Sequence, residues 1–152
     1  MSKEEFFTQH YIPLLKKLNG SEKGNWGVLS SQGMIEHMTY SIGIAWGRVK
    51  EPMQTPENIL EKVRGFALSE KEFKPYTKNS LLTEEPAPLR NSSIEQAVIE
   101  LEKEISNFVS HYHKNPNDII QNPFFGNFNY NEWLHLLHKH AVHHLKQFSL
   151  IS

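Results

Sequence analysis

Five of the nine histidines fall between His135 and His144, inside one run whose apolar residues keep helical spacing. At about 100° per residue, which follows from 3.6 residues per turn, Trp133, Leu134, Leu136, Leu137, Ala141, Leu145 and Phe148 cover one broad arc. His140 and His144 fall near the centre of that arc, His135 and His138 point to the opposite side, and His143 lies on the boundary. A pair at i and i+4 stacks two imidazoles on one face, close enough to share an ion. Burying both unpaired costs about 1–3 kcal/mol each. The fold must therefore supply partners for them: a shared metal, or hydrogen bonds within the core.

The rest of the chain reads as further helices. Lys3 to Leu18 carries Phe7, Tyr11, Leu14, Leu15 and Leu18 at helical spacing, and Pro13 predicts a kink or a split. Ser30 or Ser31 caps a helix running to about Gly47, with Met34, Ile35, Met38, Ile42, Ala45 and Trp46 on one face and His37 at its margin. Thr55–Pro56 is a start signal for a short helix to about Leu68, the threonine accepting an orphan amide. Ser69 to Asn91, with Pro75, Pro86 and Pro88, reads as a long connection that can cover one end of the bundle. Ser92 with Glu95, or Ser93 with Gln96, caps a helix whose stripe runs from Ile94 through Leu101 and Phe108 to Tyr112. Asn115 to Asn127 holds Pro116, Pro123 and Gly126 and reads as loop, after which Asn129 and Glu132 cap the last helix to about Ser149. No strand alternation is visible. The expectation is one all-α domain over residues 1–152, with four main helices and a long crossover connection.

Composition narrows the function. The chain has 38% hydrophobic and 22% charged residues, ordinary for a globular domain, and no apolar run of the roughly 20 residues that spans a membrane. The start, MSKEEFFTQHYIPLL, lacks the features of a signal peptide, so a cytoplasmic address is the expectation. Basic and acidic residues number 16 and 17 without long blocks, which argues against nucleic acid as a partner. With no cysteine, any protein ligand to a metal is nitrogen or oxygen. His37, on a helix interior, is the natural third ligand beside His140 and His144; His10, His111 and His113 read as solvated. Glu36, His143 and Gln147 adjoin the ligand positions, with roles in orienting a ligand or moving a proton, although Glu36 also fits a solvated helix edge. Trp133, Phe124 and Phe125 read as plain core rather than as pocket walls.

The stretch NPFFGNFNYNEWLHLLHKHAVHHLKQF resembles the last helix and preceding loop of the DinB-like superfamily. It carries a proline-aromatic-glycine loop at Pro123, Phe124 and Gly126, a tryptophan at Trp133, then His140, His144, Leu145, Lys146 and Gln147. SSQGMIEHMTYS, with His37, is similar to that family's second helix. The resemblance is to a branch of bacterial proteins of unassigned function. It implies a four-helix bundle with long crossover connectivity and a divalent ion, zinc or nickel, held by His37, His140 and His144. Three histidines leave at least one coordination position open, as catalytic sites do. Characterised relatives include metal-dependent transferases and isomerases that use small thiols, and here a thiol would have to arrive as cosubstrate. The expectation is a metal-dependent hydrolase or thiol-linked transferase acting on a small molecule, with the catalytic residues unassigned and a homodimer through exposed helix faces left open. The alternatives are a non-catalytic metal-binding or interaction bundle, and a metal-free polar network of core histidines.

Overall fold

Ser2, Ser30, Ser93 and Asn129 each turn a side-chain oxygen onto an amide three residues ahead, and a helix follows each cap. The computed structural model describes residues 1–74 and 87–152. In chain order the elements are α1 (Lys3–Glu5), a π-helical turn (Phe6–His10), α2 (Tyr11–Leu15), α3 (Ser31–Ala45), α4 (Glu57–Leu68), α5 (Ile94–Lys114), β1 (Ile120–Asn122), β2 (Gly126–Phe128) and α6 (Tyr130–Gln147). The fold is thus mostly helical with one two-stranded sheet, which corrects the expectation that residues 115–127 are loop alone. The midpoint of the long connection, with Pro75 and Pro86, lies outside the described residues.

Pro13 disturbs the first helix one turn before itself. The Tyr11 amide reaches back five residues to the Phe6 carbonyl, and His10 adopts φ −117°. A proline ring collides with the carbonyl four residues earlier, and a widened turn ahead of it is one way to move that carbonyl aside. Phe7, Tyr11 and Leu15 remain on the buried side.

The core joins α3 to α5 along their lengths, through Met34, Met38, Ile42, Leu101, Ile105 and Phe108, with Trp133, Leu137 and Ala141 of α6 completing it. Two polar ties lock the far end of this pair. Tyr112 donates its hydroxyl to the Ala45 carbonyl at 2.6 Å, and the buried Glu104 carboxylate accepts from Trp46 Nε1 at 2.9 Å and Arg48 Nε at 2.6 Å. Gly43 makes the second tie possible, since a Cβ there would collide with the Arg48 guanidinium.

The sheet is a hairpin with register Ile120↔Phe128 and Asn122↔Gly126. Asn122 Oδ1 accepts from the amides of Phe124 and Phe125, and Gly126 takes φ +87°, so NPFFG is a turn built from asparagine and glycine chemistry. The turn is clamped from outside. Thr55 donates its hydroxyl to the Phe124 carbonyl at 2.7 Å rather than capping α4, which therefore begins with no side-chain cap at Pro56. Arg64 donates to the carbonyls of Phe125 and Asn127, pairs with Glu132 at 2.8 Å and lies over the Phe128 ring.

Tyr11 is an exception to this pairing. It is fully buried and its hydroxyl is without a hydrogen-bond partner, and burial alone pushes its ionisation up. An unmade buried hydrogen bond costs free energy that an apolar replacement of equal shape recovers. Tyr11→Phe is expected to raise the urea unfolding midpoint, worth about 1 kcal/mol; a lower midpoint would mean that the hydroxyl has a partner in solution.

Candidate metal centre

His37 reaches the core from α3, and His140 and His144 from α6, one turn apart. His140 Nε2 lies 3.2 Å from His37 Nε2 and 2.9 Å from His144 Nε2, and the three available nitrogens all fall within 4.8 Å of one another. Among the described residues this is the one group of three or more such side chains placed to hold an ion. The His37 and His144 rings stand 5.5 Å apart, edge to face.

The protonation of His144 follows from what stands behind it. The Gln147 amide nitrogen donates to the Trp26 carbonyl at 2.8 Å, which turns its oxygen toward His144 Nδ1 at 2.7 Å. That oxygen can only accept, so Nδ1 carries the proton and Nε2 presents its lone pair to the cluster. Burial, and then the neighbouring His144, His37 and His143, hold the His140 pKa well below the usual histidine value. The His140 ring is therefore neutral, the state in which an imidazole can bind a metal.

Two short nitrogen contacts at one imidazole are not satisfied by protons alone. A single N–H at His140 Nε2 can point squarely at His37 or at His144, and the other contact is left poor. One cation at about 2.0–2.1 Å from each nitrogen would satisfy all three, with nitrogens about 3.3 Å apart at tetrahedral angles. To reach that arrangement the contacts at 2.9 and 3.2 Å open slightly and the remaining pair, His37 and His144, closes from a separation within 4.8 Å. The donor set fits a divalent metal that favours imidazole nitrogen.

The surroundings are asymmetric. His144 is wholly buried, whereas His37 and His140 form part of the wall of a cleft of about 920 Å³ between α3, α6 and the NPFFG turn. A fourth coordination position, if used, opens into that cleft. Phe124, Phe125 and Trp133 line it as well as packing the core, so the reading of these aromatics as core alone is corrected. Tyr40, one turn beyond His37, also lines it and donates its hydroxyl to Glu51. Burial, and then the Glu51 carboxylate, push the Tyr40 pKa up to about 12, which keeps the phenol a neutral donor. Neither residue carries a sequence signal; a tyrosine three residues after a helix histidine is the nearest hint.

The neighbours named from sequence divide three ways. Gln147 orients a ligand histidine. His143 turns away: Trp26 Nε1 donates to its Nε2 at 3.4 Å and its Nδ1 faces the Phe73 carbonyl at 3.3 Å, so it ties two irregular segments to α6. Glu36 is buried rather than a solvated edge, and it accepts from the amides of Arg90 and Asn91 at 2.7 and 3.1 Å and from Gln32 at 3.0 Å. It anchors the returning end of the long connection beside His37. His10 and His113 are exposed, while His111 is half-buried against Asp118 at 2.7 Å.

Burial alone would raise the Glu36 pKa, but the amides of Arg90 and Asn91 and the Gln32 and Asn91 side chains outweigh it and the net shift is downward. The unfolded chain then takes up the proton first as pH falls. Stability contributed by Glu36 is complete above the ordinary value of 4.5 and is lost as the pH falls through the lowered folded-state pKa. Urea unfolding between about pH 3 and 6 should show that slope in the parent and a flatter one in Glu36→Gln. For Gln147→Leu, zinc affinity by chelator competition should fall about 10- to 100-fold with the helical spectrum unchanged; unchanged affinity would free His144 from dependence on Gln147. Comparison with protein-family models, with curated proteins and with solved structures gives no match to this chain.

Proposed function

We propose that this protein is a metal-dependent enzyme of the DinB-like kind, a hydrolase or thiol-linked transferase, with a zinc or nickel ion held by His37, His140 and His144. The observation that carries the reading is the convergence of three imidazole nitrogens at the wall of a cleft, His144 buried and His37 and His140 part of the cleft wall. A closed structural site needs a fourth protein ligand. No aspartate, glutamate or further histidine among the described residues joins the group of three.

A divalent ion at this position supplies Lewis acidity, which lowers the pKa of a coordinated water or thiol and polarises a substrate carbonyl. The chain's own residues supply the rest. Gln147 and Trp26 fix the tautomer of His144; Tyr40, its proton held by Glu51, presents a phenolic oxygen along the cleft wall; and Leu136, Leu137 and Trp133 keep bulk water from one side of the reacting group. The DinB-like assignment rests on the sequence resemblance and is compatible with the mostly helical fold, in which α3 and α6 carry the histidines. No helix among the described residues is long and apolar enough to cross a membrane.

Elemental mass spectrometry of untagged protein prepared without chelator is expected to find near-stoichiometric zinc or nickel, absent from His37→Ala and from His140→Ala. Metal-loaded protein should then accelerate hydrolysis of activated esters or amides, or thiol transfer, and chelation should abolish the rate and lower the thermal midpoint. Bound metal with no turnover in either assay would favour the non-catalytic metal-binding bundle, and failure to take up metal would leave a hydrogen-bonded histidine core.

A further inference from the structure

The cleft has a volume of about 920 Å³, at the upper end of what a small-molecule site encloses. Its walls come from α3 and several other parts of the chain. Phe73 stands on the segment after α4, Phe124 on the hairpin turn, and Trp133, Leu136 and Leu137 on α6. Its rim is also apolar: of the eight large hydrophobic residues exposed among those described, Val28, Tyr40 and Leu89 border this one cleft, with Val28 70% and Leu89 53% exposed. Isolated exposed apolar residues are ordinary on a protein surface, but a ring of them around a concave site is not.

Charge adds a second, independent constraint. Among the described residues, the ionisable side chains on the wall besides the histidines and Tyr40 are Glu36, Glu51 and Arg90. Glu36 is taken up by backbone amides, Glu51 accepts from Tyr40, and Arg90 donates to Glu100 at 2.8 Å. The α3 N-terminus that reaches the cleft is capped, the Gly33 amide donating to Ser30 Oγ at 2.9 Å. Among the described residues, two acids against one arginine, itself paired with Glu100, give the wall away from the three histidines a negative balance and no unengaged cation to grip a phosphate or carboxylate on the body of a ligand.

We propose, building on the metal-site reading, that the cleft takes an uncharged molecule with an alkyl or aryl body and a single metal-coordinating head, the head at the open position beside His37 and His140 and the body along Phe73, Phe124 and Leu137 toward Val28 and Leu89. Such a ligand gains affinity from each apolar group removed from water, and a terminal anion cancels the gain.

Calorimetry of the zinc-loaded full chain with hydroxamic acids separates head from body. Acetohydroxamic acid reads the open metal position alone, octanohydroxamic acid adds the alkyl body, and suberic monohydroxamic acid adds an anion at its far end. Octanohydroxamate is expected to bind at least about 30-fold more tightly than acetohydroxamate, and the suberic compound to lose most of that gain. Val28→Asp and Leu89→Asp change exposed positions, so they should fold; each should cut the octanoyl gain several-fold and leave acetohydroxamate unchanged. Zinc and acetohydroxamate binding with no gain from the alkyl body, or an equal gain for the suberic compound, overturns the proposal alone. Absence of zinc uptake, or zinc without acetohydroxamate binding, overturns the metal-site reading and this proposal with it.

Discussion

The arrangement depends on α6 being buried on nearly every side while carrying polar groups around its whole circumference. Lys139, His143, His144 and Gln147 are all buried on it. Each must find a partner, because an unmade bond in the interior costs more than a made one gains. The partners are largely backbone carbonyls at the end of α4 and in segments without regular structure. Lys139 donates to the Phe66 and Ser69 carbonyls, His135 to that of Ser69, and Gln147 to that of Trp26, while His143 meets that of Phe73. The polar pattern of one helix thereby dictates where the segment before α3 and the segment after α4 must lie. Those segments then border the centre: Phe73 is in the cleft wall and Trp26 stands behind Gln147.

The same requirement separates the histidines that can hold a metal from those that cannot. His143 and His144 are adjacent in sequence, yet about 100° of helical rotation sends them to different neighbourhoods. His143 has an indole donor and a carbonyl. His144 has an amide oxygen on one nitrogen and another histidine on the other. A histidine bonded on both sides by groups of fixed polarity is satisfied as a neutral ring, whereas a cluster of imidazoles facing one another lacks protons of the right number and direction. The distinction between a structural and a ligating histidine is thus one of partner chemistry, since both are buried.

Sequence periodicity made the helices legible because their signals are local. Caps at Ser30, Ser93 and Asn129 act within one turn, and the stripe from Ile94 to Tyr112 spans five. The i, i+4 pair at His140 and His144 was legible for the same reason. The hairpin was not, since its three-residue strands are too short to show alternation and its turn is clamped by Thr55 and Arg64 from elsewhere in the chain. The burial of Glu36, Glu104 and Lys139 escaped notice because a charged residue on a helix reads as solvated until the opposing element is known. Their partners lie 54, 56 and 73 residues away in sequence, at Arg90, Arg48 and Phe66.

Burial also sets the side from which anything can approach the three histidines. Behind the wholly buried His144 stand Gln147 and Trp26, joined by the hydrogen bond from the Gln147 amide nitrogen to the Trp26 carbonyl. Across α6 the Phe73 ring stands 6.3 Å from His140 and 6.2 Å from His143, a shared wall between the cleft and a smaller pocket at the end of the helix. Lys139 holds that wall, with its ammonium 5.1 Å from the centre of the Phe73 ring and 4.3 Å from that of Phe66. Lys146 pairs with the adjoining Glu72 at 2.6 Å. Among the described residues, Tyr40 on α3 and the exposed Leu89 border the cleft whose wall includes His37 and His140, so the chemistry of that wall acts on whatever approaches the two histidines along the cleft.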